Sequence, residues 1–179
     1  MNTGDKSCQD DMLMRRLLMA WDGQWFLKVT EKFGIEVAID LNVRVRRSFA
    51  RIEMREALRD AKIFRNLFSM EEAMAFLWNY LKVGNDGEIV ADYEVNDSNS
   101  LINVFWCPAF EGAKKAQLER QDQACISCSG MWNAWIAKLF EIDESLIEVK
   151  IDKMLSKGDC HCSIRISGVG DCIMPKGSK

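Results

Sequence analysis

The period of the hydrophobic pattern changes near the middle of the chain, and that change restricts the fold more than any other feature. Up to residue 83 the apolar residues recur at helical spacing. After the Gly-Asn-Asp-Gly stretch at 84–87 they begin to alternate. A spacing of three to four puts apolar side chains on one stripe of a helix, whereas alternation puts them on one face of a strand. The order is therefore helices first and a sheet afterwards.

In the first half, Met12, Leu13, Leu17, Leu18 and Trp21 share helical spacing, Trp25, Phe26, Val29 and Phe33 continue it, and Gly34 is a natural stop. Residues 35–64 predict a long second helix. Its apolar stripe is read as Ala38, Val45, Phe49 and Ile52, with Arg44, Arg47, Arg51 and Arg55 on another face. Ser69 followed by Glu72 is a capping box, which places the start of a third helix at Met70.

Beyond the break, Ile89, Ala91, Tyr93 and Val95 alternate with polar residues, 96–100 is a turn, and 101–107 is a β-prone run stopped by Pro108. Residues 109–123 return to helix despite Gly112. A further helix is predicted over 125–140. Ile147, Val149 and Ile151 then alternate with Glu148, Lys150 and Asp152, and 159–166 alternates once more. The predicted fold class is α+β: a helical N-terminal half, then an antiparallel four-stranded sheet in ββααββ order with helices on one face. Short connections within each strand pair favour antiparallel hairpins. The expected organisation is a helical region at 1–83 that packs on the domain or dimerises it, an α+β metal- and ligand-binding core at 84–168, and a flexible Gly-rich tail at 169–179.

With 179 residues, 48% of them hydrophobic, the chain is long enough for one buried core. A net charge of −3 provides no draw toward nucleic acid or anionic membranes. No apolar run reaches membrane-spanning length. The N-terminal stretch is acidic before its short apolar patch and lacks a basic leader, so the expected location is cytoplasmic. A reducing compartment disfavours disulfides among the seven cysteines, an odd number in any case. Clustered cysteines in such a chain point to metal binding or thiol chemistry, although a cysteine is also a small, often buried hydrophobe, which suffices for Cys8 and Cys172.

The remaining five fall into two close pairs and a single residue. Cys125 and Cys128 are spaced so that a helix would bring both sulfurs to one side, and the positive end of its dipole would favour their thiolates. Cys160 and Cys162 flank the only histidine, His161. If 159–166 is a strand throughout, both thiols share the buried face with Ile164 and Ile166, and His161 points away from them to solvent. Cys107 ends the second strand of the first hairpin. Four thiolates, or three with one oxygen, suit tetrahedral zinc. Four cysteines without histidine also suit an iron–sulfur cluster. Buried or redox-active thiols remain the other reading. A thioredoxin-type site is disfavoured because a polar stretch at 118–124, rather than a hydrophobic strand, precedes Cys125.

The segment from about Gly87 to Ser167 resembles the 4-vinyl-reductase-type small-molecule-binding domain, found in the sensory regions of phenol-responsive transcription activators and related in fold to trafficking-complex subunits. The resemblance is carried by the strand after Gly158, "GDCHC", and by the cysteines at the predicted helix start. It implies zinc held by Cys162, by Cys125 or Cys128, and by Cys107 where the sensors have an acidic ligand. The sensors' remaining cysteine falls at Met154 here, and Cys160 is the candidate substitute. The stretch "DGQWFLKVTEKFGIEVAIDLN" is similar to cytosolic proteins labelled L-2-amino-thiazoline-4-carboxylate hydrolase.

These readings give two main expectations of function. One is a zinc-binding module for a small apolar or aromatic ligand, with a pocket lined by some of Tyr93, Phe105, Trp106, Phe110, Trp132 and Trp135. The other is a metal- or cysteine-dependent hydrolase of a small C–N or C–S substrate, with Glu111 as the candidate base and no further catalytic residue identified. Whether the chain is an enzyme is left open. Nucleic-acid binding through the arginine stripe is the weakest reading, because Glu53 and Glu56 intersperse it. Apolar residues on several faces of the early helices point to a homodimer.

Overall fold

The computed structural model describes residues 3–63, 69–85, 90–96 and 99–169, and the structural statements below concern these. Three helices come first: α1 (Thr3–Phe33), α2 (Ile35–Asp60) and α3 (Met70–Asn85). Strands β1 (Ala91–Val95) and β2 (Ser100–Val104) follow. Then come α4 (Pro108–Lys115), the single turn α5 (Gln121–Ala124) and α6 (Ser127–Phe140), and finally β3 (Glu148–Lys153) and β4 (Cys162–Ser167). The architecture is α+β with a four-stranded antiparallel sheet, strand order β1-β2-β4-β3. Three helices, rather than the expected two, separate the strand pairs.

Gly34 is the corner between the first two helices, with φ +85°, a backbone setting that glycine enters without a Cβ penalty. An ion pair between Asp22 and Arg46 ties α1 to α2 beyond that corner and fixes them as antiparallel neighbours. At the start of α3 the Glu72 amide donates to Ser69 Oγ over 3.0 Å, which is half of the predicted capping box.

Of the apolar stripe predicted for α2, Ala38 is buried as expected and the other three residues are not. Ala38, Ala50 and Met54 are fully buried, while Val45, Phe49 and Ile52 are about half exposed. Periodicity alone could not choose between two apolar stripes on one helix; packing against α6 did. Glu144 makes the contact more specific. It receives both Arg47 and Arg51 of α2, so part of the arginine stripe is an internal clamp.

One apolar cluster joins both halves of the chain. Met54 of α2, Met70, Met74 and Leu77 of α3, Trp132, Trp135, Ile136 and Leu139 of α6, and Ile102, Ile164 and Ile166 of the central strands all belong to it. The alternation predicted for the strands holds: Asp92, Glu94, Lys150 and Arg165 are exposed, while Ile102, Ile164 and Ile166 are buried. Ile89 lies outside the described residues. A bulge between Ile151 and Lys153 displaces Asp152, which accepts two hydrogen bonds from Arg165 across the ladder.

Val169, the first residue of the expected flexible tail, is fully buried, and the rest of that stretch, 170–179 with Cys172, lies outside the described residues. Cys8 is on the backbone of α1, but its side chain is likewise outside what is described.

Candidate functional site

The sheet register brings distant cysteines to one end of the domain. Val104, the last residue of β2, pairs with Cys162, the first residue of β4. Cys107, three residues past Val104, therefore sits at the same end of the sheet. It occupies the N-cap position of α4, ahead of Pro108, whose missing N–H costs nothing in a first helical turn. The chain returns to this end through α5 and α6: Cys125 caps the C-terminus of α5, and Cys128 lies in the first turn of α6.

The turn between β3 and β4 wraps the same place. Asp159 accepts from the Met154 amide over 2.7 Å, and the Leu155 amide points at Cys162 Sγ, 3.3 Å away. A 3₁₀ turn over Leu155–Lys157 closes at Gly158, with φ +91°. Ser156, in that turn, sets its buried hydroxyl against the Cys125 thiol, although no partner meets it with full hydrogen-bond geometry.

The thiols also act on one another electrostatically. Burial pushes Cys128 up to about 12, and the charges of Cys107, Cys125 and Cys162 raise it too, while Arg46 pulls it down. Burial also raises Cys125. Ser156 opposes that, and Cys107 and Cys162 add to it. Cys162 is raised by burial, lowered by the Leu155 N–H, and raised further by Cys107 and Asp159. Cys107 thus acts on all three of the others. Of the two cysteines expected at one helix start, Cys128 lies in the first turn of α6, where burial raises its thiol, and Cys125 lies outside that helix.

Cys160 stands apart from the four. It is exposed, and it is absent from the charges that act on the others. The expected strand does not extend back to it, because β4 begins at Cys162 and residues 160–161 form a bend. The alternation that would have turned His161 away therefore fails. Cys160 Sγ lies 3.0 Å from His161 Nδ1, and the imidazole packs against Phe105 with ring centroids 5.5 Å apart. Met154, at the position of the sensors' remaining cysteine, is buried.

By donor chemistry the four gathered thiols fit a thiophilic cation, and an N–H aimed at Cys162 Sγ is the kind of bond that orients a ligating sulfur. Their spacing is wider than that of a formed centre. Among the described residues, no three His, Cys, Asp or Glu side chains stand close enough together to hold a metal ion.

The aromatic candidates occupy separate settings. Trp132 and Trp135 are core residues, packed edge to face at 5.2 Å. Tyr93 packs on Trp78 at 4.9 Å. Phe105 is exposed beside His161, Trp106 is half-buried, and Phe110 lies under the Lys114 ammonium. Glu111, the candidate base, accepts from that same lysine over 3.1 Å.

Sequence reasoning missed Glu53. Tyr80 Oη donates to one of its oxygens over 2.7 Å and Trp135 Nε1 to the other over 3.0 Å, so this carboxylate joins α2, α3 and α6. No local signal marked it, because the burial of its neighbours Ala50 and Met54 is decided by packing and not by periodicity. Fold and site together define an α+β domain with a thiol cluster where its sheet meets α4 and α6. No family model and no curated protein matches the chain.

Proposed function

We propose that this protein is a metal-binding module, with zinc as the cation, serving a small-molecule-binding or regulatory role. Cys107, Cys125, Cys128 and Cys162 are its ligand set, and Cys160 is outside it. One observation carries the reading. Four thiols from separate segments collect at one end of the sheet, three of them with neutral forms favoured by burial. Four part-buried thiols placed together have no packing advantage over small aliphatic residues, whereas a divalent cation would hold them as thiolates and tie the last hairpin to α4 and α6. The reading extends the resemblance to the 4-vinyl-reductase-type domain, with the covering helices on one face of the sheet and the ligand an apolar or aromatic molecule.

The test is metal content after purification in the absence of oxygen. About one zinc per chain is expected. Cys107→Ser and Cys162→Ser should each remove most of it, and Cys160→Ser should leave it unchanged. A metal-free wild-type chain, or full content in both of the first two variants, defeats the proposal. Iron with broad visible absorption would move the same four ligands to an iron–sulfur cluster.

A further inference from the structure

The first two helices carry a large apolar surface that nothing in the described chain covers. On α1, Leu13, Met14, Leu17, Leu18 and Trp21 are each 55–68% exposed. On α2, Val45, Phe49 and Ile52 are each 45–52% exposed. Met14, Leu18 and Trp21 follow an i, i+4, i+7 spacing, and so do Val45, Phe49 and Ile52; this is one continuous stripe on each helix. The Asp22–Arg46 ion pair sets the helices side by side at that level, so the two stripes run past each other over the same turns.

We infer that this α1–α2 face is a self-association surface whose occupant is the same face of a second copy. The area is suitable. Eight large side chains about half exposed amount to roughly 800 Å² per copy, which is the per-partner share of a standard-sized stable interface. Isolated exposed apolar residues are ordinary, but a patch this large on a monomer is not. Charge favours a second copy over a lipid surface. The α1 sequence has five acidic and five basic residues, and α2 has five acidic and six basic. A helix that binds anionic membranes has a strongly basic polar face instead. Two nearly neutral helix pairs can pack as an antiparallel four-helix arrangement without like-charge repulsion. A two-fold axis through the face makes the contact self-complementary.

The experiment is sedimentation equilibrium of the full chain from about 1 to 100 μM, with Leu18→Asp and Phe49→Asp as separate variants. Wild type should sediment at twice the 20.5 kDa chain mass. Each variant should raise the dimer dissociation constant at least tenfold while its helical circular dichroism stays at the wild-type value. Two variants on different helices guard against one that simply misfolds. A wild-type monomer at 100 μM overturns the inference. So does a dimer indifferent to both substitutions, or a monomer that co-sediments with phosphatidylcholine or phosphatidylserine vesicles.

Discussion

Gly168→Ala and Gly158→Ala form a matched pair that isolates one backbone contact. Both glycines have φ +91°. At Gly158 an added Cβ meets nothing within 4 Å, so the cost is only that of a left-handed setting, about 1–2 kcal/mol. At Gly168 the added Cβ falls 2.2 Å from the carbonyl oxygen of Leu146. Ordinary carbon–oxygen contacts lie near about 3.3 Å, so something must move by about 1 Å. Neither side is free to do so. Val169 is fully buried, Ser167 pairs with Glu148, and Asn133 Nδ2 donates to the carbonyls of Glu144 and Ile147 on either side of Leu146. The clash and the backbone setting together are expected to cost about 3–5 kcal/mol, the upper end for a single substitution. In a domain of this length each kcal/mol lowers Tm by about 2–4 °C. The expected losses are therefore about 2–8 °C for Gly158→Ala and about 6–20 °C for Gly168→Ala. Thermal and urea unfolding followed by circular dichroism measure both. Equal losses would refute the close approach of residue 168 to Leu146.

Three other outcomes are expected. Burial holds Glu53 above its ordinary value of 4.5, against the lowering by Tyr80, Trp135 and Arg46. The folded chain then keeps that proton to higher pH than the unfolded chain. The associated stability is complete below the unfolded value and is lost as pH rises through the folded one. Glu53→Gln should flatten the fall in urea midpoint as pH rises above the ordinary value of 4.5, and an unchanged slope would contradict the assignment. Ile102, fully buried on a central strand between Tyr93 and Ile164, should cost about 2–5 kcal/mol when replaced by alanine, read from the same urea curves. Among Cys107, Cys125, Cys128, Cys160 and Cys162, only Cys160 is exposed, so peptide mapping after brief iodoacetamide treatment should find it alkylated first.

The sequence by itself determined what depends on neighbours along the chain. The switch of period after residue 83 gave helices before strands. Gly34 ended α1 because few other residues adopt its backbone setting, and Ser69 capped α3 through a contact three residues long. The inward face of β4 followed from alternation, because a strand has only two faces. The tertiary structure decided what depends on partners far away. It selected Ala50 and Met54 over Val45, Phe49 and Ile52, since a helix with two apolar stripes buries the one its neighbour can reach, and only Ala38 of the predicted stripe is buried. It began β4 at Cys162, which separated Cys160 from the other thiols and turned His161 back toward it. It placed Glu53, part-buried, between a tyrosine and a tryptophan 27 and 82 residues away. Only pairing Val104 with Cys162 could bring Cys107 beside a thiol 55 positions later, because register is fixed by the packing of whole faces and not by any local signal.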